Sequence, residues 1–253
     1  MSRFHPAAGS VVLLVVQSET VTADNSICGE EIPSLETKRK TILAIVITYA
    51  AALVLIFGVG WFNGNILPNL TGFVRSVLMT VVWWPLLIPT IVFMRRDKEA
   101  LKDIGFSKEK IPQQILVGVI VAIGSLLIFI VIPALFGLQM GYVGSLNIFS
   151  NVLVFIYVLL ANALVEEVLF RGHLFKKLAD MKESRWFPIL VSSILFGLFH
   201  VFNWNLIQIL LTMLMGIYWC VCREKVERCT LLSLIIAHAL HNTLLPVITA
   251  LFF

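Results

Sequence analysis

The sequence contains a pair of adjacent carboxylates, Glu166 and Glu167, inside a long apolar stretch. Three of the five histidines, His200, His238 and His241, also lie in apolar stretches. Ionisable groups inside a bilayer cost several kcal/mol and usually serve a function. Burial raises the pKa of a carboxylate and a neighbouring imidazolium or metal lowers it again, so such a group can act as a general base for water near neutral pH. These residue types therefore indicate a buried hydrolytic site.

Helical spacing separates the two carboxylates. Glu167 and Arg171 stand at i and i+4 with the acid on the N-terminal side, which favours an intrahelical ion pair. Glu166 is rotated from them by about 100° and cannot share that face. We therefore expect Glu167 and Arg171 to form a structural or positioning pair, and Glu166 to be the free carboxylate inside the bundle. The same spacing places two further pairs each on one helix face: His238 with Asn242, and Phe196 with His200.

The composition requires that membrane-spanning helices position these residues. Hydrophobic residues make up 59% of the chain and charged residues 13%, which is about half the usual charged share. A soluble fold of 253 residues cannot hide that much apolar surface in one core. The mean hydropathy of +0.94 excludes a disordered chain, a disulfide-rich secreted module and a basic nucleic-acid binder. The remaining class is an integral membrane protein.

Seven apolar runs are long enough to cross a bilayer core of about 30 Å, which needs about 20 helical residues. They lie near residues 41–62, 71–94, 113–137, 148–171, 186–203, 206–222 and 230–253. The sequence thus predicts an all-α, polytopic transmembrane bundle over residues 41–253. Residues 1–40 are expected to form a mobile cytoplasmic tail, and residues 148–253 to form the core that carries the site.

Basic residues flank alternate runs and predict the orientation of the chain. Lysine and arginine clusters precede the first run and follow the second, fourth and sixth, whereas the loops at 63–70, 138–147 and 201–205 contain no charged residue. By the positive-inside rule the N-terminus is cytoplasmic and the C-terminus lies outside. Only Arg75 breaks this pattern, near an outer helix end from which its side chain can reach the headgroups.

Three short motifs resemble those of a known family. The segments 166–171 (EEVLFR), 196–200 (FGLFH) and 238–242 (HALHN) are similar to the motifs EExxxR, FxxxH and HxxxN of the CPBP family of intramembrane proteases. This family includes the type II CAAX prenyl endopeptidases and bacteriocin-processing enzymes. Each motif alone is weak, but three in this order on three helices form a strong signal. The resemblance covers about residues 148–253, and the first 147 residues carry no assigned motif.

The resemblance implies a role for each matched residue. Glu166 would activate the attacking water, His200 and His238 would orient the water or bind a metal, and Asn242 would stabilise the oxyanion. Three further residues would support these groups: Glu167, Arg171 and Phe196. The compact zinc motif HExxH is absent. The resemblance leaves open whether the site uses one divalent metal, such as Zn²⁺ held by His200, His238 and Glu166, or no metal.

The implied activity is endoproteolysis of a membrane-embedded or lipid-anchored substrate, such as a CAAX-like protein or a leader-peptide, pheromone or bacteriocin precursor. We expect a multi-pass protein of a bacterial plasma membrane, with an active site accessible from the cytoplasm. Its expected partners are the substrate and the lipid bilayer, without nucleic acid, and the oligomeric state is left open. The alternative is a non-catalytic membrane binding protein, such as a bacteriocin self-immunity factor. A transporter is disfavoured because no internal repeat is visible.

The depths of the candidate residues conflict in this prediction. Glu166 and His238 should lie roughly 10–15 Å from the cytoplasmic ends of their helices, whereas His200 should lie roughly 20 Å from the start of its helix. These side chains can meet only if the fifth helix is tilted or begins inside the cytoplasm. Two other histidines receive minor roles: His173 is expected at the membrane interface, and His241 is expected to pack against or support the site.

Overall fold

The computed structural model describes residues 33–139 and 142–253, and every regular element in this part of the chain is a helix. Seven helices are long and apolar enough to cross a membrane: α1 (Leu35–Asn69), α2 (Gly72–Arg96), α3 (Ile111–Leu135), α4 (Ile148–Ala179), α5 (Trp186–Asn203), α6 (Leu206–Lys225) and α7 (Leu231–Phe252). The predictions of an all-α fold and of a multi-pass membrane protein are therefore confirmed.

Helix α1 begins earlier than the sequence predicts. Ser34 caps it, because the Ser34 side chain accepts a hydrogen bond from the backbone N–H of Thr37 at 3.2 Å. Residues 35–40, which were expected in the polar tail, therefore belong to α1. Most of that expected tail, residues 1–32, lies outside the described residues.

Helix α4 is longer than predicted and is not uniformly α-helical. It continues past residue 171 to Ala179. Two π-helical segments, Leu159–Ala163 and Val168–Leu174, flank the short α-helical stretch Leu164–Glu167 that carries both carboxylates. Such segments are rare and often occur at functional sites. They also change the rotation per residue, so a fixed step of 100° does not give the face on which each side chain of α4 lies.

The charged loops meet at one end of the bundle, which we call the cationic end. Lys177, near the end of α4, is 5% exposed and binds Asp97 Oδ2 at 2.6 Å and Glu99 Oε1 at 2.7 Å. Lys38 at the start of α1 binds Glu183 in the α4–α5 loop at 2.7 Å. These ion pairs join loops that are far apart in sequence.

The loop between α2 and α3 is fastened over the ends of α4 and α7. The backbone N–H of Leu231, the first residue of α7, donates to the Gly105 carbonyl at 3.0 Å. The Arg96 guanidinium, which hydrogen-bonds Asp97, holds the pKa of that carboxyl at about 2, with a further contribution from Lys177. The acidic partner of Lys177 therefore stays ionised near neutral pH.

The three loops without charged residues lie at the opposite end, which we call the charge-free end. There the ring of Phe57, on the second half of α1, lies 5.7 Å from the ring of Phe202 at the end of α5. The backbone N–H of Gly144 donates to the Pro246 carbonyl on α7 at 2.9 Å. Apolar and backbone contacts hold this end together.

Glycine residues allow the closest helix contacts. A Cβ atom on Gly118 of α3 would lie 2.6 Å from the Ser233 carbonyl oxygen and 3.0 Å from Ile236 Cβ, both on α7. A Cβ atom on Gly197 of α5 would lie 2.8 Å from the Ile209 carbonyl oxygen on α6. Small residues at such positions let membrane helices approach each other closely.

We expect Gly118→Ala to destabilise the protein by about 1–3 kcal/mol, because the new methyl group must displace the α7 backbone. Gly58→Ala on α1 is the matched control, since nothing lies within 4 Å of its Cβ position. Thermal unfolding in detergent should show a lower melting temperature only for Gly118→Ala. Equal melting temperatures for the two variants would contradict this account of the α3–α7 contact.

Candidate active site

Glu167 joins helices α4 and α7 inside the bundle. Its Oε1 atom lies 2.8 Å from His238 Nδ1 and 3.1 Å from Arg171 Nη1. Glu167 and Arg171 are 0% exposed and His238 is 2% exposed. The ion pair expected from the i, i+4 spacing is present, and His238 is an additional partner. An ionised carboxylate only accepts hydrogen bonds, so Nδ1 of His238 carries the proton and Nε2 keeps its lone pair.

The free nitrogen of His238 faces Glu166. The distance from His238 Nε2 to Glu166 Oε2 is 3.8 Å, which is too long for a direct hydrogen bond. A water molecule beside the line between these atoms can hydrogen-bond to both. Glu166 is 4% exposed and lies in the wall of a cavity of about 620 Å³. The two groups are therefore arranged to hold and polarise a water molecule.

Aromatic rings enclose Arg171. Its guanidinium carbon lies 3.8 Å from the centre of the Phe196 ring and 5.1 Å from the centre of the Trp219 ring. Cation–π attraction of this kind grows stronger where water is excluded. The Trp219 ring also lies 4.8 Å from the ring of His238. The sequence assigned Phe196 a supporting role. Its ring stabilises the Arg171 cation, which in turn pairs with Glu167.

His200 lies just beyond the α-helical part of α5. Its Nδ1 atom is 3.0 Å from the Phe196 carbonyl oxygen, and its ring meets the Phe196 ring edge-on at 5.1 Å. Because a carbonyl oxygen only accepts, Nδ1 donates and Nε2 is left for another partner. His200 lines the cavity that contains Glu166 and also a second cavity that contains His238. His200 therefore lies in the wall of both cavities.

The length of α4 and the position of α7 account for the depth conflict. Because α4 continues to Ala179, Glu166 lies about 20 Å from the end of its helix, much as His200 lies about 20 Å from the start of α5. Helix α7 starts deeper in the bundle than α5 does. Its first residue, Leu231, packs against the Gly172 position of α4, with Leu231 Cδ2 3.2 Å from where a Cβ would lie. His238 thereby reaches the level of Glu167.

The second cavity, of about 440 Å³, lies between α3, α5, α6 and α7. Asn242 is in its wall together with His238, and the Asn242 side chain makes no hydrogen bond to the described residues. His241 also lines this cavity, and its Nδ1 atom is 3.0 Å from Ser125 Oγ. Ser125 donates to the Ala122 carbonyl at 2.9 Å, so it accepts the proton of His241 Nδ1. His241 is held in one orientation on the wall, which agrees with the supporting role expected for it.

Tyr157 is a site residue that the sequence did not reveal. It lies on α4 close to Trp83 and close enough to Glu166 to interact with its charge. Tyr157 precedes Glu166 by nine residues, which places the two on opposite faces of a uniform α-helix. The π-helical segment Leu159–Ala163 lies between them, so the rule for a uniform α-helix does not apply to this pair. No spacing rule for an ordinary helix selects this tyrosine.

The predicted metal ligands do not form a complete metal site. Within residues 33–139 and 142–253, no group of three or more His, Cys, Asp or Glu side chains is placed to hold a metal ion. Glu166 and His238 approach each other to 3.8 Å, but His200 does not join them in a three-ligand group. A catalytic zinc ion normally has three protein ligands. The residues as arranged do not fit such an ion.

The expected position of His173 is wrong. His173 does not leave the bundle after Gly172, because α4 continues and buries the imidazole completely. Its ring stacks on Phe93 with 6.3 Å between the ring centres. The sequence suggested an interface because Gly172 precedes this histidine and two lysines follow it, yet Lys177 is itself buried by ion pairs.

The fold and the site define a class: a membrane protein of seven apolar helices, in which Glu166 and Glu167 of α4 contact or face His238 of α7, and His200 of α5 lines the cavities beside them. The family model for type II CAAX prenyl endopeptidase, Rce1-like, matches residues 147–244. This match spans all three motifs and confirms the family recognised from them. It implies protease activity on a membrane-associated substrate. No curated protein matches the chain, and no solved structure matches it.

Proposed function

We propose that this protein is an intramembrane endopeptidase in which Glu166, assisted by two histidines, activates water against a peptide bond. One observation carries the proposal. Glu166 Oε2 lies 3.8 Å from a His238 nitrogen whose lone pair is kept free by the hydrogen bond from His238 to Glu167. A buried carboxylate and a neutral imidazole that face the same small gap are suited to deprotonating a water molecule.

The proposed reaction begins with a water between Glu166 and His238. One water proton goes to the Glu166 carboxylate, the other is held by His238 Nε2, and the oxygen adds to the carbonyl carbon of the scissile bond. The resulting oxyanion receives hydrogen bonds from the Asn242 amide, and from His200 when it is protonated. Glu166 then passes its proton to the leaving nitrogen as the C–N bond breaks. The products are a carboxylic acid and an amine.

Two residues with no direct contact to the substrate support this chemistry. Glu167 fixes the tautomer and the ring orientation of His238, and Arg171 neutralises Glu167. The Phe196 carbonyl oxygen likewise accepts a hydrogen bond from His200 Nδ1 and fixes the tautomer and the ring orientation of His200. Each histidine thus presents Nε2 towards the cavities, which favours a catalytic role over a purely structural one.

The substrate proposed is a membrane-embedded or lipid-anchored peptide or protein. A CAAX-like protein and a leader-peptide, pheromone or bacteriocin precursor all remain within this class, in a bacterial plasma membrane. The rival function is a non-catalytic binding protein, such as a bacteriocin self-immunity factor. The rival does not account for the paired orientation of His200 and His238.

The test compares small membrane peptides from cells that produce the wild type, His200→Ala or His238→Ala, by mass spectrometry. We expect a precursor to accumulate in both histidine variants while their abundance in the membrane stays normal. Lys102→Ala, in the exposed loop between α2 and α3, is the control and should match the wild type. A binding protein predicts the same peptides in all four strains. Treatment of the purified wild type with a chelator in the same assay reports whether a metal takes part.

A further inference from the structure

The cavity that contains Glu166 has a wall of mostly apolar and aromatic side chains. Its volume of about 620 Å³ is typical of a ligand site, and such sites carry a few polar groups that orient the ligand. The described part of this wall contains four hydrogen-bonding side chains outside the three motifs: Asn63, Trp83, Asn203 and Trp204. Asn63 lies on α1 and Trp83 on α2, and both precede the segment that the family model matches. The motifs therefore assign no role to either residue.

Two of these four side chains present buried polar atoms without a partner. Asn63 Oδ1 and Trp83 Nε1 are both buried, and neither makes a hydrogen bond to the described residues. Tyr157 lies close to Trp83, yet it does not satisfy the indole N–H. The Asn203 amide, by contrast, is already hydrogen-bonded, and Trp204 is 90% exposed. Leaving a buried polar atom unpaired is unfavourable, so the two atoms in this wall indicate a partner that is not part of the chain.

The two unpaired atoms have complementary chemistry. Asn63 Oδ1 accepts hydrogen bonds, whereas Trp83 Nε1 only donates one. A peptide main chain carries both matching groups, an N–H donor and a C=O acceptor, at every residue except proline. A hydrocarbon tail carries neither. Glu166 lies in the same wall, so a main chain bound by these atoms is placed beside the group that activates water.

We propose that Asn63 and Trp83 bind the main chain of the substrate next to the scissile bond. Asn63 Oδ1 accepts a hydrogen bond from a substrate N–H, and the Trp83 indole N–H donates to a substrate carbonyl oxygen. This inference rests on the proposed function and specifies the form of its substrate. The bound segment must be extended, because the N–H and C=O groups of a helix are already paired with each other. A helical substrate therefore unwinds at this point before it is cut.

The first test changes the substrate and leaves the enzyme intact. Its probe is a synthetic peptide that copies the cut region of the precursor found by mass spectrometry, with the purified wild type in detergent. Each analogue replaces one peptide N–H near the scissile bond, but not at it, by an ester oxygen, which cannot donate. We expect one analogue to have a KM about three- to tenfold higher, the factor that one hydrogen bond contributes. Equal KM values for all analogues would overturn the role of Asn63.

The second test combines the analogues with Asn63→Leu, which removes the acceptor at nearly the same side-chain volume. We expect this variant to raise KM for the unmodified peptide by the same factor with kcat unchanged. The ester that weakens binding to the wild type should cause no further loss, because its partner is already absent. Asn65→Leu, exposed on the same helix, is the control and should match the wild type. Independent losses from the variant and the ester would show that Asn63 does not contact that N–H.

Trp83→Phe removes the indole donor and keeps an aromatic ring in the wall. We expect a higher KM with kcat unchanged, whereas a lower kcat alone would overturn the role of Trp83 in binding. Trp186→Phe is the control, since Trp186 is 47% exposed and lies outside both cavities that contain site residues. If Trp83→Phe does not fold, thioamide analogues, whose sulfur is a weak acceptor, replace it with the wild type, and one of them should have a raised KM.

The same assays separate this inference from the proposed function. If the wild type does not cut the unmodified peptide, the proposed function fails and the main-chain site fails with it. If the wild type cuts the peptide but no analogue and neither variant changes KM, only the main-chain site is refuted.

Discussion

Replacing Glu166 by Gln should abolish cleavage of the precursor while the protein remains folded in the membrane. Glutamine keeps the size of the side chain but cannot take a proton from water. General-base catalysis contributes about 10²–10⁴-fold to a rate, and we expect a loss in this range. The measurement is the cleavage rate, with purified protein in detergent, of the peptide that accumulates in the histidine variants.

Glu109→Gln is the matched control for this substitution. Glu109 is exposed in the loop between α2 and α3. Only its backbone makes hydrogen bonds, from its N–H to Ser107 Oγ and from Gln114 Nε2 to its carbonyl oxygen. The control should retain the wild-type rate, and both variants should have the wild-type melting temperature. Full activity of Glu166→Gln would remove Glu166 from the mechanism. Loss of activity together with loss of folded protein would instead assign it a structural role.

The sequence predicts those features that depend on local regularities. Apolar runs of about 20 residues identify all seven helices, because the bilayer sets their length. The ion pair between Glu167 and Arg171 follows from the spacing of two residues on one turn of helix. The three motifs identify the family, and the family model covers the same segment. None of these predictions requires knowledge of how the helices pack.

Sequence periodicity and motif spacing do not predict which side chains of different helices come into contact. Glu167 and His238 are 71 residues apart, and their hydrogen bond depends on how deeply α7 begins in the bundle. That depth is set by the packing of Leu231 against Gly172 and by its hydrogen bond to Gly105, which no periodicity records. The sequence did not indicate Tyr157 for a related reason. The π-helical segment before Glu166 changes which residues share a face of α4.

Replacing Arg171 by Met should destabilise the protein by about 3–5 kcal/mol, because it leaves the buried Glu167 carboxylate without its paired cation. Arg171 is completely buried and also fills the space between Phe196 and Trp219. Thermal unfolding in detergent should show a large decrease in melting temperature. Lys40→Met is the matched control, since Lys40 and Glu36 form an i, i+4 pair at 2.6 Å that is exposed and worth only about 0.3–0.5 kcal/mol.

A double variant separates the stabilising role of this pair from its role at the site. Glu167→Leu combined with Arg171→Met removes both buried charges, and apolar replacements of buried ion pairs are often neutral or stabilising. We therefore expect the double variant to recover much of the stability that Arg171→Met loses. It should remain inactive, because Nδ1 of His238 then has no acceptor and the ring is no longer held towards Glu166. Recovery of cleavage together with stability would show that Glu167 and Arg171 serve folding alone, and that the orientation of His238 does not depend on them.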